Sequence, residues 1–219
     1  MFKRNFLVVA LGVLPAFQSA QAATAVWELD NAHTTINFSV RHMMISTVKG
    51  TFKAATGTLK VDDKDLSKSS ADFTIDTKSV DTGNDKRDEH LRSADFFDVA
   101  KFPTITFKSG KIDKKRKGMK VHGFVTMHGQ TKPLMFDITG PSKEVKDPFG
   151  MIRSAVSAKA KLNRKDFGLQ WNQALEAGGV AVGEEIDIDI EAEFLKKEGA
   201  EAIKPPEAQA GQPAPKKAE

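Results

Sequence analysis

The chain has 219 residues with 33 basic and 29 acidic side chains, and it contains no cysteine. This length suits one domain of ordinary size with additional segments. The missing cysteine excludes a disulfide-stapled secreted domain and a lipoprotein that is acylated at an N-terminal cysteine, so a packed core has to hold the fold.

Charge is spread along the chain. Residues 114–117 form a basic run, whereas residues 81–89 and 184–193 are rich in acids. A nucleic-acid-binding surface needs a basic stripe with stacking aromatic rings. The sequence shows no such stripe, which argues against a nucleic acid as partner.

The first 22 residues have the three parts of a cleavable signal peptide. Lys3 and Arg4 supply a positive start, residues 6–14 are uncharged and mostly apolar, and Ala20–Ala22 is a small-x-small cleavage site. The apolar run is shorter than the about 20 residues that a membrane-spanning helix needs. We therefore predict an exported protein without an integral membrane anchor. Its mature chain has 197 residues, and its net charge falls from +4 to +2 because Lys3 and Arg4 are removed.

Apolar and polar residues alternate in at least five segments from residue 36 onward. Such alternation places every second side chain on the same face of a β-strand. The apolar members are Ile36, Phe38 and Val40; Ile105 and Phe107; Val121, Val125 and Met127; Leu134, Phe136 and Ile138; and Ile186, Ile188, Ile190 and Ala192. The last of these segments carries acids at the alternate positions, so that face must be solvated.

Further apolar runs at residues 26–29, 48–61, 71–77 and 154–162 bring the total to about eight or nine strands, mostly joined by short polar turns. This spacing predicts an all-β fold, either a sandwich or a closed barrel. We favour an antiparallel up-and-down β-barrel, because closure removes exposed strand edges. A barrel of about eight strands is just wide enough to be filled by side chains or to hold one small ligand.

Two short helical segments interrupt the strand pattern. The first covers 84–92 and begins at Asn84, a residue type that caps helix N-termini. Ser93 then caps a second turn that buries Phe96 and Phe97. The other segment covers 163–168 and ends at Gly168, which can adopt the left-handed conformation.

The composition changes after Phe194 to Lys, Glu, Ala, Gln and Pro. Such a segment cannot bury enough apolar surface to order itself. We predict a signal peptide over 1–22, a barrel domain over 23–196 and a disordered tail over 197–219.

No catalytic signature is present: the sequence has no G-x-S-x-G elbow, no cysteine nucleophile and no glycine-rich phosphate loop. His122 and His128 fall on one face of a predicted strand, about 20 Å apart, which is too far to share a metal. His33 and His42 flank another strand, and each could meet a partner only through the fold. We therefore predict no metal site and no cofactor.

A charged cluster over 87–92 (RDEHLR) leaves two interpretations open. On a helix, Asp88 and Arg92 share a face, so the cluster can be an ordinary intrahelical ion pair worth a few tenths of a kcal/mol. The alternative is that Arg87, His90 or Arg92 lies at a barrel mouth and meets a polar head group.

The mature chain has twelve phenylalanines and no tyrosine, so most of its aromatic faces carry no hydrogen-bonding group. This pattern is compatible with a filled core or with a cavity for an apolar ligand.

Several strings of residues resemble the YceI-like family of bacterial periplasmic proteins. They follow the family pattern in order and cover about residues 25–195. They are Trp27–Asp30 with His33, Phe38–His42, Val48–Phe52, Asp81–Gly83, Arg87–Phe97, Phe102–Phe107, Gly123, His128–Pro133, Arg164–Leu169 and Val182–Glu185.

The resemblance implies a periplasmic, lipocalin-like antiparallel barrel that encloses a polyisoprenoid or similar long-chain lipid, often as a homodimer and without established catalysis. The resemblance implies ligand contacts along the inward apolar positions of the barrel. We further predict a tryptophan that closes one end and three head-group candidates. The residues of these three groups are Ile36, Phe38, Val40, Phe52, Phe73, Ile75, Phe107, Val121, Val125, Phe136 and Ile138; Trp171; and Arg87, His90 and Arg164.

Two other functions stay open. The first is an enzyme that acts on the head group of such a lipid at the barrel mouth, which requires His90 or another titratable group facing the cavity. The second is a structural or stress-protective protein whose tail is its contact element.

Overall fold

The computed structural model describes residues 24–62, 64–176 and 178–197. The predicted signal peptide and residues 198–219 of the predicted tail lie outside these residues. The strands are β1 (Thr24–Leu29), β2 (Thr35–His42), β3 (Ser46–Phe52), β4 (Ala55–Asp62), β5 (Ser70–Asp76), β6 (Val80–Asp81), β7 (Thr104–Lys114), β8 (Met119–Met127), β9 (Gln130–Thr139), β10 (Val145–Lys146), β11 (Ile152–Asn163) and β12 (Val182–Lys196). The described residues contain one α-helix, α1 (Asp85–Arg92), and 3-10 turns at Asn31–His33, Leu66–Lys68, Thr77–Ser79 and Arg164–Phe167.

The strands form a closed antiparallel barrel. Three long strands of the barrel are each interrupted by a kink and therefore carry two labels: β1 with β2, β3 with β4, and β5 with β6. The pairing shows this continuity, because β1 pairs with β4 and β2 pairs with β3. Counted this way, eight strands follow one another around the barrel in chain order. β12 closes it, since one edge of β12 pairs with β11 and the other with β1 and β2. The predicted all-β, up-and-down barrel of about eight strands is confirmed.

The last two strands show how alternation divides the two faces of the wall. On β12, Ile188 and Ile190 point into the barrel, whereas the acids point outward. Lys159 and Lys161 of β11 lie opposite those acids, and the Lys159–Asp189 contact is 2.9 Å long. Exposed pairs of this kind contribute little to stability, so the acidic face is a solvated surface.

The barrel has two different ends. At the first, which we call the α1 end, α1 and the turn after it lie beside the β2–β3 and β8–β9 turns. At the other, the distal end, the chain turns at 62–70, 114–119 and 139–152.

The predicted helical segments are both present at the α1 end. Asn84 caps α1 by accepting a hydrogen bond from the amide of Arg87 (3.1 Å), and Phe96 and Phe97 behind it are buried. The 3-10 turn Arg164–Phe167 ends at Gly168, whose φ of 82° is left-handed.

Buried apolar residues form two separate clusters. The larger one fills the α1 end and includes Phe52, Phe97 and Phe167, while a smaller one of Trp27, Ala192 and Phe194 lies toward the distal end. The core therefore does not fill the barrel uniformly along its axis. Within the described residues, no helix has the length and apolar character needed to cross a membrane.

Candidate ligand cavity

The interior of the barrel contains a cavity of about 360 Å³ with an almost wholly apolar wall. Phe38, Phe73, Phe107 and Ile188 point inward, away from bulk solvent, yet all four are only half-buried. Their free surface therefore faces the cavity. Pockets that bind small molecules commonly measure about 300–1,000 Å³ and are mainly apolar.

Close contacts between aromatic rings and glycines keep this interior open. Gly57 and Phe73 are directly paired across β4 and β5, and a Cβ placed on Gly57 would lie 1.9 Å from a ring carbon of Phe73. A Cβ placed on Gly50 would likewise lie 2.4 Å from a ring carbon of Phe38. Because these glycines have no side chain, the rings lie flat against the wall and do not project to the barrel axis.

The cavity is closed at the α1 end and meets the surface at the distal end. Its wall at the α1 end consists of buried residues such as Phe97 and Leu169. At the distal end the wall includes the exposed residues Lys60, Ser70 and Pro141. A ligand would therefore enter between the β4–β5, β7–β8 and β9–β11 connections.

The structure brings together all the apolar positions that the sequence selected. All eleven inward positions line the cavity: Ile36, Phe38, Val40, Phe52, Phe73, Ile75, Phe107, Val121, Val125, Phe136 and Ile138. Their role as ligand contacts stays a prediction. The selection missed the inward face of β12, including Ile186, Ile188 and Ile190. The sequence contains the information needed to find these residues. Because the acids at the alternate positions must face solvent, the isoleucines between them must face the interior of the barrel.

Arg164 is the one head-group candidate that lies in the cavity wall. It is 3% exposed and donates hydrogen bonds to the main-chain carbonyls of Leu169, Val182 and Gly183. Burial lowers the pKa of its guanidinium below the usual value. These bonds join the 3-10 turn before Gly168 to the start of β12.

Arg87, His90 and Trp171 are not part of the cavity wall. They lie at the α1 end, opposite to the opening, and the role of Arg87 and His90 as head-group contacts stays a prediction. His90 contacts Asp95 through Nε2 at 2.9 Å, and its ring packs edge-on against Trp171. Trp171 packs against the large core cluster, and it does not cap the cavity directly.

The charged cluster on α1 attaches the helix to the barrel. Asp88 is buried and accepts hydrogen bonds from the amide and hydroxyl of Thr82, while Arg92 donates to the carbonyls of Lys78 and Val80. The expected Asp88–Arg92 ion pair is therefore replaced by bonds to the segment before the helix. A carboxylate and a guanidinium that each hold main-chain groups form stronger contacts than an exposed pair on a helix surface.

The histidines occupy separate places. His122 contacts Asp113 at 3.1 Å, and His33 and His42 lie near opposite ends of β2. His128 lies in the turn after β8, not on the strand, and its φ is 51°. The expectation that it shares a strand face with His122 is therefore wrong.

One cluster, Asp30, His33 and Glu193, brings ligand atoms within 4.8 Å of one another. The guanidinium of Arg153 already occupies the position beside its carboxylates: Nη1 donates to both Asp30 and Glu193 at 2.6 Å. The hydrogen bond from Arg153, followed by that from His33, lowers the pKa of Asp30 to about 2. This cluster is an ion-pair network that joins β1, β11 and β12.

Together, the closed antiparallel barrel and its apolar interior define the class of hollow barrels with a central cavity. A family model, the YceI-like domain, matches residues 27–194. The chain therefore belongs to the YceI-like family, as its sequence motifs indicated.

Individual relatives agree with this assignment. Protein YceI of Salmonella newport is 37% identical over 171 residues, which cover 76% of this chain and 87% of the relative. Among solved structures, BcnA of Burkholderia cenocepacia matches with a TM-score of 0.66 and 20% identity over 75% of this chain and 98% of its own. A polyisoprenoid binding domain from Saccharophagus degradans has a TM-score of 0.56 and 16% identity over 78% and 98%. At these identities the two structures show a common fold.

Proposed function

We propose that the protein is a periplasmic carrier that encloses a polyisoprenoid or similar long-chain lipid in its barrel cavity. The observation that carries the proposal is an apolar cavity of about 360 Å³ that is closed at one end and open at the other. The Saccharophagus degradans domain is described as polyisoprenoid binding, which supports an isoprenoid chain as the occupant. The predicted signal peptide supports export.

The apolar wall is sufficient for useful affinity. Burial of about ten methylene-like carbons at ~0.8 kcal/mol each gives ~8 kcal/mol before the costs of ordering the chain. Taken before those costs, ~8 kcal/mol corresponds to a Kd near the micromolar range, and the ordering costs raise the Kd above it. Retention therefore requires no charged contact, and polar groups would orient the ligand rather than hold it.

Arg164 remains the candidate for a polar contact with the ligand. Its guanidinium has five N–H donors, and the three carbonyl contacts use three of them. The remaining donors support a bond to a polar atom that reaches the closed end of the cavity.

The enzymatic alternative has less support from the geometry. Proton transfer needs a titratable group within hydrogen-bond reach of the reacting atom. His90 is not part of the cavity wall, and Lys60 and Arg164 are the titratable residues of the described wall. Neither is a carboxylate or an imidazole, so no observation favours chemistry on the head group.

The decisive experiment is native purification of the exported protein, followed by organic extraction and mass spectrometry. We expect about one long-chain lipid for each barrel. Osmotic-shock fractionation and N-terminal sequencing of the same material test export and cleavage after Ala22. Protein that is folded, carries no extractable lipid and fails to take up an added polyprenyl lipid would contradict the proposal.

Pairing of two barrels, which the family resemblance implied, stays a prediction. Size-exclusion chromatography with light scattering tests it.

A further inference from the structure

The distal end of the barrel combines positive charge with exposed apolar side chains around the cavity opening. We propose that this end docks on the surface of an anionic lipid bilayer, so that the mouth of the cavity faces the membrane. Docking does not depend on which lipid the cavity holds. The purpose of docking would be to transfer a lipid chain between the bilayer and the barrel, and this purpose rests on the proposed function.

Positive charge is concentrated in the β7–β8 connection. Residues 111–120 contain six basic side chains and one acid, Asp113, so their net charge is +5, compared with +4 for the complete chain. Four of the basic residues, Lys114–Lys117, are consecutive and exposed at the turn. Among the described residues, no ion pair involves these four, whereas Asp113 contacts Lys111 and His122.

This basic turn lies directly at the cavity opening. Ile112 and Met119, which flank the turn, both line the cavity. Met119 also pairs with Ile138 near the end of β9, where the chain leaves for the β9–β11 connection. An anionic surface that meets the turn therefore also meets the mouth.

The β9–β11 connection supplies an apolar tip at the same end of the barrel as the basic turn. Val145 is 61% exposed, Phe149 is 90% exposed and Met151 is 40% exposed. Lys143 and Lys146 are exposed in the same segment, as is Glu144, which pairs with Lys196 at 2.9 Å. Apolar side chains flanked by lysines suit the boundary between lipid head groups and acyl chains, where each component finds its preferred surroundings.

The tip is held in place before any partner binds. The Asp147 carboxylate accepts hydrogen bonds from the amides of Phe149 and Met151, both at 2.9 Å, and from Arg153 at 2.7 Å. Arg153 is anchored in turn to Asp30 and Glu193 on the barrel. Phe149 is therefore presented outward by an ordered turn, and docking requires little additional ordering of the backbone.

Charge complementarity favours an anionic bilayer over an apolar protein surface. The basic turn offers no apolar residue of its own between Lys114 and Lys117, so it suits a diffuse layer of lipid phosphates. The acidic residues on the outer faces of β11 and β12 lie on the side wall. Acids also occur in the distal connections, but Asp65, Glu144 and Asp147 contact Lys68, Lys196 and Arg153, so within the described residues they do not neutralise the basic turn through ion pairs.

The test uses the mature protein with its tail and two kinds of vesicle. One kind contains phosphatidylglycerol and phosphatidylcholine in equal parts, and the other contains phosphatidylcholine alone. We expect co-sedimentation with the anionic vesicles at low salt and its loss at about 1 M salt, where the Debye length is about 3 Å. Equal binding to both kinds of vesicle, or binding to neither, would overturn the proposal.

Matched variants test the charged turn. Replacement of Lys114, Lys115, Arg116 and Lys117 by Gln should lower the partition coefficient about 100-fold or more, because each basic residue near an anionic surface contributes about fivefold. The control replaces four exposed lysines that lie away from the mouth, Lys49, Lys86, Lys101 and Lys132, by Gln. An equal loss in the control would show that net charge alone is responsible, and it would overturn the role of the turn.

A second pair of variants tests the apolar tip. Phe149→Ser should weaken binding about tenfold or more while the salt dependence remains. Phe124→Ser, which removes a 57% exposed ring from the outer face of β8, should change nothing. If both variants bind like the wild type, the tip does not enter the bilayer and the proposal fails in that part.

Two results separate this inference from the proposed function. Protein that docks on anionic vesicles but contains and takes up no lipid would support docking and contradict the carrier function. Protein that contains lipid but does not sediment with the vesicles, and is instead captured by another protein through the basic turn, would overturn docking alone.

Discussion

Substitution of Gly57 by Ala tests whether the glycine–phenylalanine contact keeps the cavity open. The new Cβ would lie 1.9 Å from the Phe73 ring, and ordinary carbon contacts need about 3.5 Å, so the ring has to retreat by about 1.6 Å. The strand backbone limits movement in other directions, and the ring moves into the cavity. The crowding costs about 1–3 kcal/mol, and the change from Gly to Ala in a strand returns about 0.5–1 kcal/mol. We expect a net destabilisation of about 1–2 kcal/mol.

The same displacement should weaken ligand binding. A ring that takes the space of about two methylene groups removes about 1.6 kcal/mol of burial, which corresponds to roughly a tenfold increase in Kd. Urea unfolding measures stability, and titration with a fluorescent polyprenyl analogue measures binding. The double variant Gly57→Ala with Phe73→Leu should recover both properties relative to Gly57→Ala alone, because the smaller side chain relieves the contact.

Gly110→Ala provides the matched control for these measurements. Gly110 is also a strand glycine, but a Cβ there meets only the carbonyl oxygen of His122 at 3.5 Å. We expect wild-type ligand binding and equal or slightly higher stability. If Gly57→Ala behaves like Gly110→Ala, or if Phe73→Leu brings no recovery, the proposed contact does not control the cavity.

Three further predictions concern polar groups outside the apolar wall. The pKa of Asp30 is lowered to about 2, chiefly by Arg153, so the stability that this pair contributes is complete above about pH 4 and is lost as the pH falls toward 2. The Arg153→Gln variant should therefore have a lower free energy of unfolding than the wild type at pH 7. Urea unfolding should show that this difference in free energy shrinks between pH 4 and pH 2, and a difference that stays constant would argue against the ion pair. Arg164→Leu removes the side-chain donor of the Leu169 and Gly183 carbonyls, whereas Val182 keeps the side-chain amide of Asn172, and the change should cost about 2–4 kcal/mol in the free energy of unfolding; an unchanged urea midpoint would contradict its role at the start of β12. His90→Ala should leave the amount of bound lipid unchanged while lowering stability by about 1 kcal/mol, because it loses the bond to Asp95; loss of lipid from a folded variant would restore His90 as a ligand contact.

The limits of sequence interpretation are clearest at α1. Asn84 identified the start of the helix correctly, because an N-cap acts through the amides of its own first turn. The partners of Asp88 and Arg92 could not be derived in the same way. Spacing on the helix pairs these residues with each other, yet each finds main-chain and hydroxyl groups of the preceding segment. Those groups are within reach only because β6 is held in the barrel by β3.

The position of the cavity opening is the second feature that the sequence left undecided. Alternation shows which side chains face inward, but it does not tell which end of the barrel the helix covers or where the chain leaves a gap. The head-group candidates Arg87 and His90 were consequently assigned to the mouth, although they lie at the closed end. The sequence shows the basic run at 114–117 only as a cluster of charge, and its place beside Met119 at the opening follows from the register of β8 with β9.

The amino-acid sequence by itself determined the strands, their inward faces, the helix caps and the family, because each of these depends on residues that are neighbours in the chain or on motifs in a definite order. The tertiary structure decided that the barrel is hollow. Twelve phenylalanines could have filled it, but rings such as those of Phe38 and Phe73 lie flat over glycines of adjacent strands. Whether a ring fills or lines a barrel depends on the residue opposite it on the neighbouring strand. The register of the paired strands decides which residue this is, and that register belongs to the folded sheet.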